Sequence, residues 1–124
     1  MSKRILIVED DPDVAQSVAE VLKASGYRTV LAGNGREALD QLQASDLPDL
    51  ILLDLMMPIM DGWQFREEQR KSPALDAVPV VIVTADGNAR GKAAAIHAAG
   101  HVGKPVTIDG LLDAVERICG VPEA

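Results

Sequence analysis

Three stretches of this chain are aliphatic without interruption: Ile5-Leu6-Ile7-Val8, Leu50-Ile51-Leu52-Leu53 and Val80-Val81-Ile82-Val83. Apolar runs of this length with no polar alternation fit strands buried on both faces, as in a parallel sheet covered by helices on each side. Between them lie segments whose apolar residues recur at helical spacing. Strand followed by helix, repeated five times with short connections, predicts an α/β domain with a parallel sheet.

The first strand spans 4–8. Glu9-Asp10-Asp11-Pro12 follows, with Pro at the first helical position and Asp before it as a cap. That helix is expected over 12–25, with Val14, Val18, Val21 and Leu22 on one stripe and Gly26 past its end. Strand 27–32 is interrupted by Arg28 and Thr29 and reads as an edge. Asn34 with Glu37 resembles a capping box ahead of a helix over 35–44. The third strand is 50–54. A helix from Asp61-Gly62 to about 71 is broken by Ser72-Pro73, and the fourth strand is 78–83. An Ala-rich helix over 89–99, a very short strand within Gly100-His101-Val102-Gly103, and a helix over 108–119 complete the set. The prediction is one domain over 1–124: a doubly wound five-stranded parallel sheet with five helices. Strands 1, 3 and 4 are placed centrally and strands 2 and 5 at the edges.

Charge narrows the partners. The formal net charge is −7 over 124 residues, which argues against bulk electrostatic attraction to nucleic acid or an anionic membrane. A single cysteine, Cys119, excludes an internal disulfide and a Cys-based zinc cluster. The N-terminal apolar run is too short for a signal sequence, and no run approaches a membrane span, so a cytoplasmic protein is expected.

Parallel strands end on the same side. Glu9 and Asp10 follow strand 1, Asp54 ends strand 3, Thr84 follows strand 4 and Lys104 follows strand 5. Sites in open α/β sheets are built at this carboxyl edge. Three carboxylates gathered there are hard oxygen ligands suited to Mg²⁺, which takes one or two carboxylates and shares the rest with water and phosphate. Thr84 and Lys104 can then bind a phosphoryl group, and Asp54 can attack an activated phosphorus to give an acyl phosphate.

These residues carry a family resemblance. The chain resembles the receiver domains of two-component response regulators through Ile5-Leu6-Ile7-Val8-Glu9-Asp10-Asp11, Leu53-Asp54-Leu55-Met56-Met57-Pro58 with Asp61-Gly62, Val83-Thr84-Ala85 and Lys104-Pro105. The resemblance covers essentially the whole chain. It implies a flavodoxin-like fold with strand order 2-1-3-4-5 and Asp54 as the phosphoacceptor. Mg²⁺ would be held by Asp10 and Asp54, by Glu9 through water, and by the backbone carbonyl of Met56. Thr84 and Lys104 would grip the phosphoryl oxygens and shift the face formed by the last two predicted helices and the strand between them. The donor implied is a histidine kinase or phosphotransfer protein, and the output an unidentified protein. The domain itself would contact no nucleic acid or membrane. It would be a monomer or a phosphorylation-dependent dimer, catalysing only its own phosphorylation and dephosphorylation. With no effector domain in the chain, a stand-alone receiver is expected, although Met1 and the short tail suit a complete chain or a piece of a longer one.

Several positions depart from the family pattern or stay open. Three consecutive acids leave the register open by one, with Asp11 read as the cap before Pro12. The family often carries Tyr or Phe three residues before its Lys; His101 stands there, in a shortened segment. It is either a switch residue or an edge-strand histidine without a role. Met56 and Asp86, two residues after Asp54 and Thr84, occupy positions that govern access of water. Met56 should lengthen the phosphoryl lifetime, and Asp86 would repel an anionic donor.

Two rival functions are a degenerate, phosphorylation-independent interaction module and a Mg²⁺-dependent phosphatase with an Asp nucleophile. The phosphatase would need an acid two residues after Asp54, where Met56 stands. The segment 87–92 is one residue too short for a P-loop. Cys119, His97 and Trp63 read as packing or surface residues.

Overall fold

A computed structural model describes residues 3–44, 46–85 and 88–122. Five parallel strands, β1 (Arg4–Val8), β2 (Arg28–Ala32), β3 (Leu50–Asp54), β4 (Val80–Thr84) and β5 (Gly100–Gly103), form one sheet in the order β2-β1-β3-β4-β5. The helices are α1 (Pro12–Ala24), α2 (Gly35–Ala44), α3 (Gly62–Gln69), α4 (Pro73–Asp76), α5 (Ala89–Ala95) and α6 (Ile108–Cys119). The central strands β3 and β4 are buried at every position, while β2 and β5 expose residues on the edges.

Each strand alternates between two cores, because successive side chains point to opposite faces. Ile5, Ile7, Leu50, Leu52, Val81 and Val83 pack with Leu22 of α1 and Leu111 and Val115 of α6. Leu6, Val8, Ile51, Leu53, Val80 and Ile82 pack on the other face with Leu39 of α2, Phe65 of α3 and Ile96 beyond α5. The same alternation positions the site. Glu9 continues the row Ile5, Ile7, and Asp54 continues the row Leu50, Leu52, with Val8 opposite Leu53 in the ladder. Both carboxylates therefore emerge side by side from the face covered by α1 and α6.

Boundaries move where specific hydrogen bonds intervene. Tyr27 lies outside β2 because its N–H closes the end of α1 on Leu22 O, at 3.0 Å. Pro79 has no N–H, so β4 starts at Val80, while Pro79 O accepts from Ile51 N–H at 3.0 Å. Ser72-Pro73 breaks one helix and also begins another: Pro at the first position opens the four-residue α4, a sixth helix that was not predicted. The helix read as 89–99 stops at Ala95, and His97 takes a left-handed φ of 56°. At Asn34 the cap is real but not a full box. Asn34 Oδ1 accepts from Glu37 N–H at 3.0 Å, and Glu37 Oε2 reaches back to Gly33 N–H at 2.6 Å rather than to Asn34. A reciprocal capping box begins α3, between Asp61 and Gln64.

The early end of α5 has an identifiable partner. Arg66, on α3, is buried and donates from Nε to Ile96 O at 2.8 Å and from Nη2 to His97 O at 3.0 Å. Its Nη1 donates to Gln69 Oε1 at 2.9 Å and to Asp76 Oδ1 at 3.3 Å. Gln69 in turn donates to Leu75 O and Val78 O at 2.7 and 3.1 Å. The guanidinium thus satisfies carbonyls at the helix end that α5 itself leaves without partners. Arg66→Ala strands those buried acceptors and should lower unfolding free energy by about 3 kcal/mol in urea denaturation. Arg66→Lys should recover less than half of that, because an ammonium cannot reproduce the planar fork. A loss under about 0.5 kcal/mol, the range of ordinary surface substitutions, would refute the assignment.

Candidate functional site

The carboxyl edge of the sheet opens into a cleft of about 710 Å³ lined by Glu9, Asp10, Asp11, Val14, Asp54, Met56, Thr84, Ala85, Lys92 and Lys104. Aligned ladders bring these positions together: Asp54 lies opposite Val83, and Thr84 opposite Gly103, one residue before Lys104. Lys104 N–H donates to Thr84 O at 3.0 Å.

Glu9 and Asp54 are buried, 7% and 5% exposed, whereas Asp10 faces solvent. One carboxylate oxygen from each of the three lies within 4.8 Å of the others. Lys104 Nζ bridges the buried pair, 3.0 Å from Glu9 Oε1 and 3.2 Å from Asp54 Oδ2. Asp54 Oδ1 accepts from Met56 N–H at 3.1 Å, so both oxygens of this carboxylate are oriented. Asp11 caps α1, its Oδ1 accepting from Asp13 N–H at 2.9 Å and Val14 N–H at 3.4 Å. Asp11 N–H donates to Glu9 Oε2 at 3.2 Å, which leaves Asp10 as the neighbour free to face the cleft.

Electrostatics follow from this crowding. Burial pushes the Glu9 carboxyl up to about 7, the neighbouring Asp54 adds to the rise, and Lys104 opposes it. Burial lowers the Lys104 ammonium, but the two carboxylates outweigh it and hold lysine above its ordinary range. An excess of negative charge on hard oxygens, only partly offset by Lys104 at the buried pair, is the donor chemistry that suits Mg²⁺.

A pH dependence follows without any divalent cation. Glu9 binds its proton more tightly folded than unfolded, so its contribution to stability is complete below about 4.5 and is lost as pH rises through about 7. In EDTA, the melting temperature should therefore fall between pH 5 and pH 8. Glu9→Gln should flatten that fall, and Mg²⁺ at pH 8 should reverse it. A wild-type melting profile that is level over this range in EDTA would contradict the charge crowding.

The sites expected from sequence divide as follows. Glu9, Asp10, Asp54, Met56, Thr84 and Lys104 line one cleft. His101 is exposed on β5 opposite Ile82. Trp63 lies in a separate groove between α3 and the end of α5, with Arg66, Arg70 and Ile96. Asp86 lies outside the described residues. Cys119 is half-buried beside the α6 core, where burial raises its thiol. Lys92 also lines the cleft, although the sequence singles it out only as part of a segment too short for a P-loop. Its signal was position: one turn into the helix after the Thr84 strand. Among the described residues, no helix is long and apolar enough to cross a membrane.

Comparison with known proteins places the fold and the family. Residues 5–116 match the family model described as response regulator receiver domain. Response regulator MprA of Mycolicibacterium vanbaalenii is 39% identical over 114 residues, covering 90% of this chain and 48% of that protein. The chain thus spans about half the length of the curated relatives it matches. Chemotaxis response regulator CheY4 of Vibrio cholerae superposes with a TM-score of 0.87 at 28% identity, covering 95% of this chain and 99% of that one. The signal receiver domain of a signal transduction histidine kinase from Syntrophus aciditrophicus gives 0.85 at 34% identity, covering 94% and 89%.

Proposed function

Because the chain belongs to the response regulator receiver domain family, we propose that Asp54 is its phosphoacceptor, taking a phosphoryl group from a phosphohistidine on a histidine kinase or phosphotransfer protein. The observation that carries this is the placement of Asp54: buried, with one oxygen on Met56 N–H and the other on Lys104 Nζ, at the floor of an acidic cleft. Asp10, Asp54 and the Met56 carbonyl would hold Mg²⁺, with Glu9 reaching it through water. When bound, Mg²⁺ supplies positive charge that offsets the attacking carboxylate and the phosphoryl oxygens.

The chain's own residues do the rest. An Asp54 oxygen forms the new O–P bond as the P–N bond to the donor imidazole breaks, and the electron pair leaves with the imidazole. Lys104 Nζ moves from Asp54 Oδ2 to a phosphoryl oxygen, and Thr84 donates its hydroxyl to another. Met56, 74% exposed at the rim, stands in the path of water and prolongs the acyl phosphate. Drawing Thr84 toward the phosphoryl group biases α5, whose buried apolar side is little more than Ala93 and Ile96. With so little apolar area buried, the end of α5 nearest Thr84 shifts at modest cost, while Arg66 holds its other end through Ile96 O and His97 O. The altered α5–β5–α6 face, with His101 on it, then binds a downstream protein.

Phosphoimidazole, the reactive fragment of phosphohistidine, tests the reading. With Mg²⁺ it should add one phosphoryl group to the chain, and Asp54→Asn should take none. Steady release of phosphate from a small phosphate ester, with no adduct on the chain, would overturn the proposal in favour of a hydrolase.

A further inference from the structure

We infer that Lys92 is a second cationic contact for the incoming phosphoryl donor, acting beside Lys104 in the Asp54 cleft; this rests on the phosphoacceptor function proposed above. Lys92 is half-buried and lines the cleft together with Thr84, Ala85, Asp54 and Lys104. It sits on α5, which begins at Ala89, shortly after Thr84 ends β4. In an α-helix the Cα–Cβ bond tilts toward the N-terminus, so the Lys92 stem leans back toward the carboxyl end of the sheet.

Charge makes such a contact consequential. The cleft holds the carboxylates of Glu9, Asp10, Asp11 and Asp54 against the ammoniums of Lys92 and Lys104. Lys104 bridges the buried pair, 3.0 Å from Glu9 and 3.2 Å from Asp54. A phosphorylated donor therefore approaches an acidic mouth on a chain of net charge −7. Lysine is a compact point charge well suited to phosphate, and a cation at the mouth lowers the repulsion an anionic donor meets before Lys104 is released. The role is tied to donor charge: the more negative the donor, the more it depends on Lys92.

The test compares two small donors at saturating Mg²⁺, acetyl phosphate and the less negatively charged phosphoramidate, by the second-order rate constant for adduct formation. Lys92→Ala should slow acetyl phosphate about tenfold and phosphoramidate about twofold, a difference in donor steering. Lys92→Arg should keep most of the wild-type rate with both. Mg²⁺ affinity, measured by calorimetry, should be unchanged or tighter in Lys92→Ala, since a competing cation is gone. An unchanged rate in Lys92→Ala, or equal loss with both donors, overturns the inference while leaving Asp54 as acceptor. A wild-type chain inert to both donors overturns both together.

Discussion

Lys104→Met is expected to slow phosphoryl transfer to Asp54 about a hundredfold and, in EDTA, to destabilise the fold by about 2–3 kcal/mol. The kinetic loss follows from removing the ammonium that would follow the developing charge onto the phosphoryl group. The stability loss arises because two buried carboxylates, Glu9 and Asp54, lose the cation lying 3.0 and 3.2 Å from them. Removing one partner of a buried pair leaves uncompensated charge. The figure sits at the low end for such changes because the Lys104 side chain is itself 27% exposed. Mg²⁺ should restore most of the stability and should bind more tightly than to the wild type, since an ammonium no longer competes for the same oxygens. Urea unfolding in EDTA and in Mg²⁺, with calorimetry for the metal, separates these effects. Weaker Mg²⁺ binding by the variant would contradict the arrangement.

Gly62→Ala is expected to cost about 3 kcal/mol in unfolding free energy although it adds a single methyl group. A Cβ there would lie 2.7 Å from Asp54 O and 2.7 Å from Leu55 Cα, both backbone atoms with nowhere to go. Gly62 N–H also donates to Leu55 O at 3.0 Å, so the start of α3 is held against the end of β3. Relief requires lifting α3 or displacing the Asp54–Met56 segment, and the second route disturbs the hydrogen bond that orients the acceptor. Gly103→Ala is the matched control. Its Cβ would meet nothing within 4 Å, and its stability should stay within about 0.5 kcal/mol of wild type. Equal effects at the two glycines would remove the packing explanation.

Much of this was legible in the chain because it depends on period and order alone. The unbroken runs in β1, β3 and β4 announced buried parallel strands, and parallel strands must deliver Glu9, Asp10, Asp54, Thr84 and Lys104 to one edge. The bounds of α2, β3 and α6 followed from apolar spacing and flanking turn residues. What escaped depends on contacts distant in sequence. Arg66 sits among charged neighbours on α3 and looks like another solvated residue until Ile96 and His97 are brought against it. The same contact ends α5 early, against the helix propensity of its alanines. Pro73 reads in sequence as a breaker, although a proline at the first position also starts α4. Lys92 could not be placed from strand order, because it reaches the cleft from a helix.

The central claim is that Asp54 carries the phosphoryl group. It is tested most directly by incubating the chain with Mg²⁺ and acetyl phosphate, reducing the acyl phosphate with borohydride, and locating the modified residue by tandem mass spectrometry. A single mark at Asp54, lost in EDTA and in Asp54→Asn, is the predicted result. No mark at all, or a mark on any other residue with Asp54 untouched, would contradict it.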